Sequence, residues 1–127
     1  MKLLLVDDDR LVLAMLGSLL RAADFSVIEC ETAEQALAQW QSQTFDLLIT
    51  DYRMPGATGI ELAQSIRQAT NTVRPAPMMI AMTGGFDEES AALANQLFDG
   101  VLTKPVNVSQ IEKLIEKIQT SSAIRAN

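Results

Sequence analysis

Acidic, hydroxyl and ammonium side chains stand directly after apolar runs at several places in this chain. The residues are Asp7, Asp8, Asp51, Thr83 and Lys104. An acid after a strand, taken alone, is most often a turn or helix-capping residue. If the acids converge, however, they need a cation, and hard divalent ions, Mg²⁺ first, take such oxygen ligands. With an ammonium and a hydroxyl beside them, the set suits phosphoryl transfer to a carboxylate, with Asp51 as the nucleophile that becomes an aspartyl phosphate.

Convergence depends on the elements that carry these residues. Five apolar runs predict strands, at Leu3–Val6, Phe25–Ile28, Phe45–Thr50, Met78–Met82 and Val101–Thr103. A helical pattern follows each run, and each of the five helices begins after a capping residue: Asp9, Thr32, Thr58, Asp87 and Asn107. This (βα)₅ order predicts an α/β fold in which a parallel five-stranded sheet lies between two helical layers. Strand ends in such a sheet share one edge, so the five chemical residues are expected to meet there.

The helices also predict which side chains fill the core. Leu11, Val12, Met15, Leu16 and Leu19 recur on one face of the first helix. We expect Trp40 and Phe98 to be packing residues and Cys30 to be a buried thiol.

Length and composition limit the possible functions. The 127 residues fit one domain, and 48% apolar residues with 20% charged residues is globular composition. A net charge of −6 argues against direct contact with nucleic acid, and no apolar run reaches the length of a membrane span. One cysteine suits a reducing compartment, so we expect a cytoplasmic protein. The lack of histidine removes histidine catalysis and histidine metal sites. We expect one domain over residues 1–120 and a polar tail over 121–127.

Four segments together resemble the receiver domains of response regulators in two-component signalling. They are Leu5-Val6-Asp7-Asp8-Asp9, Asp51-Tyr52-Arg53-Met54-Pro55-Gly56 continuing to Gly59, Met82-Thr83-Gly84 and Leu102-Thr103-Lys104-Pro105. The resemblance covers nearly the whole chain. It implies a doubly wound, flavodoxin-like sheet with strand order 2-1-3-4-5.

The resemblance also implies a function. Asp51 would take a phosphoryl group from a phosphohistidine on a histidine kinase or phosphotransferase. Asp8, Asp51 and the backbone carbonyl of Arg53 would bind Mg²⁺ directly, and Asp7 would bind it through water. Thr83 and Lys104 would contact the phosphoryl oxygens, and the Lys104–Pro105 bond would be cis. Phosphorylation would switch a surface formed by the fourth helix, fifth strand and fifth helix, which a downstream protein or a phosphorylation-dependent dimer would use.

Departures from the family pattern keep alternatives open. Val101 stands where many receivers have a Tyr or Phe that reports phosphorylation, which leaves room for a pseudo-receiver that binds partners without being phosphorylated. The chain is also compatible with a receiver cut from a hybrid kinase or multidomain regulator. A haloacid-dehalogenase-type phosphatase would need a second acid at position 53, where this chain has Arg53. We therefore expect no turnover of an external substrate.

Overall fold

Five strands alternate with five helices in the computed structural model, which describes residues 1–53, 58–70, 75–84 and 88–126. The strands are β1 (Lys2–Val6), β2 (Ser26–Cys30), β3 (Leu47–Asp51), β4 (Met78–Thr83) and β5 (Gly100–Thr103). The helices are α1 (Arg10–Ala22), α2 (Ala33–Ser42), α3 (Gly59–Ala69), α4 (Glu88–Leu97) and α5 (Val108–Ala126). The strands pair in parallel in the order β2-β1-β3-β4-β5, so the predicted doubly wound α/β fold is confirmed.

The boundaries differ in small ways from the prediction. Asp51 and Thr83 are the last residues of their strands, rather than the residues that follow them. Helix α5 continues to Ala126, through the stretch expected to be a tail, and the division at residue 120 stays a prediction. The Met54-Pro55-Gly56 part of the family motif and Asp87, the predicted cap of α4, lie outside the described residues.

The central strands are buried on both faces, and their side chains alternate between two cores. One core packs Leu4, Val6, Leu48, Met79 and Ala81 against α2, α3 and α4, and it contains Trp40 and Phe98. The other packs Leu3, Leu5, Ile49, Ile80 and Met82 against α1 and α5. This alternation follows from the two-residue period of a strand and explains why the strands read as continuous apolar runs. Trp40, Phe98 and Cys30 are 3%, 5% and 3% exposed, as predicted from the sequence.

The predicted capping residues that the structure describes begin their helices. The Asp9 carboxylate accepts the backbone N–H groups of Leu11 and Val12 at 3.0 and 3.2 Å. Thr32 and Thr58 each accept an N–H from the residue three positions later. Asn107 and Gln110 exchange hydrogen bonds, at 2.9 and 3.0 Å, in a reciprocal capping box.

The side of α1 that faces the core differs from the sequence prediction. The side of α1 that faces the core carries Leu13, Leu16, Gly17 and Leu20. Of the face predicted from the sequence, Leu16 is buried, but Leu11, Met15 and Leu19 are 73%, 59% and 51% exposed. Apolar residues surround most of this helix, so their spacing alone does not decide which side meets the sheet.

None of the described helices combines the length and the apolar character that a membrane crossing requires.

Candidate functional site

Asp51 lies at the carboxyl end of β3, in the middle of the sheet. It is 8% exposed, and its strand is paired with β1 on one side and β4 on the other. The start of α3 folds closely beneath it, because Gly59 donates its N–H to the carbonyl of Tyr52 at 2.9 Å. A Cβ atom at Gly59 would come within 2.5 Å of the Asp51 backbone oxygen. Gly59 therefore belongs to the support of this site, a role that the sequence reasoning did not identify.

Asp7 and Asp8 lie at the end of β1, next to Asp51. Carboxylate oxygens of the three acids all lie within 4.8 Å of one another. Asp7 is 1% exposed and accepts the Asp9 N–H at 2.9 Å, whereas Asp8 is exposed. The predicted acidic cluster is therefore present, with two buried members and one that faces solvent.

Lys104 brings the positive charge to the cluster. Its ammonium nitrogen lies 3.1 Å from Oδ2 of Asp51 and 3.4 Å from Oδ2 of Asp7. The backbone holds this lysine in place, since its N–H donates to the Thr83 carbonyl at 2.7 Å. The peptide bond to Pro105 is cis, the isomer that the family resemblance implies.

Thr83 completes the group at the end of β4. It is 4% exposed, and it lines a cavity of about 230 Å³ together with Asp51, Arg53 and Gly84. The structure therefore brings together Asp7, Asp8, Asp51, Thr83 and Lys104, with Arg53 at the rim of the cavity.

Burial and neighbouring charges have opposing effects on the pKa values of Asp51 and Lys104. Burial raises the pKa of Asp51, and the nearby charge of Asp7 adds to the rise, while Lys104 and a backbone hydrogen bond from Arg53 oppose it. Burial alone lowers the pKa of Lys104, but its hydrogen bond to Asp51 and the two carboxylate charges outweigh that effect, and the pKa is raised. Lys104 therefore remains charged, and it compensates only part of the negative charge of three carboxylates.

The three carboxylates of the acidic cluster are suitable ligands for a hard cation. All three side chains offer carboxylate oxygens, which suit Mg²⁺ better than a softer transition metal. Asp8 faces solvent, so the cluster is open to an ion and its water ligands. Beside these acids, the 230 Å³ cavity provides space for a small anionic group.

Val101 lies on β5, opposite Ala81, with its side chain partly buried against the core on the α3 and α4 side. Buried Phe98 and Tyr52 belong to the same core. The position at which many receivers carry a rotating aromatic therefore holds a short aliphatic side chain in this chain.

Comparison with known proteins places this fold and site in a family. Residues 3–116 match the response regulator receiver domain. The chain belongs to this family. Among its relatives, the chemotaxis protein CheY of Pseudomonas aeruginosa is 31% identical over 93% of this chain and 95% of that protein. The virulence sensor protein BvgS of Bordetella pertussis is 30% identical over 98% of this chain, and the receiver spans only about 10% of BvgS.

Solved structures agree with the assignment. Chemotaxis protein CheY4 of Vibrio cholerae superposes with a TM-score of 0.83 at 26% identity, over 92% of this chain and 97% of that one. The response regulator TrrA of Thermotoga maritima, in complex with Mg²⁺ and BeF, superposes with a TM-score of 0.78 at 26% identity, again over 92% and 97% of the two chains. The receiver therefore resembles both a protein of about its own length and a small part of a much larger sensor protein.

Proposed function

We propose that this receiver accepts a phosphoryl group on Asp51 from a phosphohistidine of a histidine kinase or phosphotransferase, with Mg²⁺ as cofactor. The observation that carries the proposal is the position of Asp51 at the carboxyl end of the central strand β3. There it lies 3.1 Å from the Lys104 ammonium and belongs to the acidic cluster. Because this chain contains no histidine, the donor histidine lies outside this receiver.

Each residue has a defined part in the transfer. A carboxylate oxygen of Asp51 forms the new bond to phosphorus as the phosphorus–nitrogen bond of the donor breaks, and the leaving imidazole keeps that electron pair. Lys104 stabilises the negative charge on the phosphoryl oxygens, and the Thr83 hydroxyl donates a hydrogen bond to them. Asp8, Asp51 and the Arg53 carbonyl would hold Mg²⁺, with Asp7 acting through water. When bound, the ion supplies the remaining neutralisation of carboxylate and phosphoryl charge.

The switch that follows phosphorylation needs a readout other than a rotating aromatic. Val101 has no ring, so we infer that the surface formed by α4, β5 and α5 changes through Thr83 and Lys104, which are adjacent to β5 in the sheet. That surface would bind a downstream protein or a second phosphorylated copy. The receiver turns over no external substrate in this scheme, and we place it in the cytoplasm, where the buried Cys30 thiol stays reduced.

Transfer from a protein donor tests the proposal. A phosphotransferase domain that carries a labelled phosphohistidine is mixed with the receiver and Mg²⁺, and the label on each protein is followed. We expect the label to move to the receiver, to stay on the donor when chelator is added, and to stay on the donor with Asp51→Ala. If Asp51→Ala is labelled as fast as the unmodified chain, Asp51 is not the acceptor. If cognate phosphorylated donors leave the receiver unlabelled, the chain acts as a pseudo-receiver.

A further inference from the structure

One buried polar side chain beside the phosphoryl site has no part in the scheme above. Among the described residues, the buried polar and charged side chains are those of Asp7, Thr50, Asp51 and Thr83. The transfer uses all of them except Thr50, which is 0% exposed. Burying a hydroxyl costs free energy unless the group is hydrogen-bonded, so a threonine at this position needs a physical reason.

The surroundings of Thr50 do not supply that reason, because they are apolar. In the sheet, Thr50 lies opposite Val6 of β1 and Ala81 of β4. Leu48 and Tyr52 stand two residues before and after Thr50, so they lie on the same face of the chain. All four neighbours belong to the core beneath α2, α3 and α4. A valine has nearly the same shape and would pack here without the cost of desolvating a hydroxyl.

The Thr50 hydroxyl contacts the backbone of the phosphoryl acceptor. Its Oγ1 donates to the backbone carbonyl of Asp51 at 3.0 Å, and this hydrogen bond is buried. The next peptide is held on both sides: the Tyr52 N–H donates to the Met82 carbonyl at 2.8 Å, and the Tyr52 carbonyl accepts the Gly59 N–H at 2.9 Å. These three hydrogen bonds fix the chain that follows the Asp51 side chain, and Thr50 makes the one that comes from a side chain.

We propose that Thr50 is a positioning residue, which acts through the Asp51 backbone carbonyl to hold the acceptor carboxylate in its reactive orientation. The backbone sets the direction of the Asp51 side chain, whose carboxylate lies 3.1 Å from the Lys104 ammonium. A small misplacement of a reacting group costs a large part of the rate. Thr50 itself touches neither the donor nor the phosphoryl group, because no part of it reaches the surface. This inference rests on the proposed function, in which Asp51 is the acceptor.

Two substitutions separate positioning from packing. Thr50→Val keeps the shape and removes the hydroxyl, whereas Thr50→Ser keeps the hydroxyl and removes a buried methyl group. Urea unfolding should show that both variants are less stable than the unmodified chain. Thr44→Val makes the same change at an exposed position before β3 and serves as the control.

Phosphoryl transfer from a phosphotransferase domain that carries a phosphohistidine is then followed in single turnovers with Mg²⁺, over a range of receiver concentrations. Thr50→Val should lower the maximal transfer rate about fivefold or more. The half-saturating receiver concentration should not change, because a fully buried side chain cannot contact the donor. Thr50→Ser should keep most of the maximal rate in spite of its lower stability, and Thr44→Val should match the unmodified chain.

Two results overturn the proposal. Transfer to Thr50→Val at the rate of the unmodified chain would show that the hydroxyl does not position Asp51. An equal loss of rate in Thr50→Val and Thr50→Ser would show that packing, and not the hydrogen bond, is responsible. In both cases the unmodified chain is still phosphorylated and the proposed function stands. If the unmodified chain accepts no phosphoryl group, the proposed function fails and this inference falls with it.

Discussion

Replacing Asp51 by asparagine should stabilise the metal-free receiver. Burial, with the charge of Asp7, raises the pKa of Asp51 in the folded protein above its unfolded value. The stability associated with this group is therefore complete below the unfolded pKa and is lost as pH rises through the folded pKa. Asp51→Asn keeps the shape of the side chain but does not ionise, so the variant should be the more stable protein at neutral pH.

The distances give the size of the effect. At 4.8 Å and an effective dielectric constant of about 20, each of the other two carboxylates repels Asp51 by about 3.5 kcal/mol. The Lys104 ammonium, at 3.1 Å, attracts it by about 5 kcal/mol. Because Asp8 is exposed, solvent screens its share of the repulsion. The charge terms then nearly cancel, so the cost of burying the charge of Asp51 decides the sign, and it favours the asparagine variant by about 1 kcal/mol, or about 4 °C in melting temperature for a chain of this size.

Urea or thermal unfolding with and without Mg²⁺ measures the stability difference between the unmodified chain and Asp51→Asn. In chelator, Asp51→Asn should unfold at the higher temperature. In excess Mg²⁺ the order should reverse, since an ion at about 100 times its dissociation constant adds about 2.7 kcal/mol to a competent site. Glu112→Gln, at an exposed position of α5, is the matched control and should change neither value. An unmodified chain that is the more stable one in chelator, or an equal Mg²⁺ effect on both proteins, would refute the electrostatic reasoning.

Two further variants test the support of the site and of the output face. Gly59→Ala should lower stability by about 1–3 kcal/mol and slow phosphorylation, because its Cβ would lie 2.5 Å from a backbone oxygen of β3. Gly84→Ala, with open space around its Cβ position, should leave the stability unchanged. Arg67 binds the Leu97 carbonyl at the end of α4 at 2.8 and 2.5 Å, so Arg67→Met should cost about 1–2 kcal/mol and speed amide exchange in α4. Arg10→Met, which removes an exposed ion pair, should cost almost nothing. Denaturant unfolding and hydrogen exchange separate these outcomes.

The convergence of the candidate site residues was predictable because they stand at strand ends. Each of Asp7, Asp51, Thr83 and Lys104 closes an apolar run, and the α/β order of the chain sends all those ends to one edge. The sequence did not show which carboxylates the Lys104 ammonium would contact. Lys104 and Asp7 are 97 residues apart, and only the folded chain places one ammonium between two particular carboxylates.

The face of α1 was not predictable in the same way. Apolar residues occupy positions 11, 12, 13, 15, 16, 19 and 20, so more than one helical face qualifies as the core face. Contact with β1, β2 and α5 selects the side that carries Leu13, Leu16 and Leu20. Tertiary packing thus decided a question that periodicity left open, and it left Leu11, Met15 and Leu19 exposed.

The most direct test of the central claim is the intact mass of the receiver after incubation with Mg²⁺ and either acetyl phosphate or a phosphorylated histidine phosphotransferase. The account predicts one added phosphoryl group, absent with Asp51→Ala and absent when the metal is chelated before the donor is added. A phosphoryl group that persists in Asp51→Ala, or no added mass from either donor, would contradict the claim that Asp51 is the acceptor.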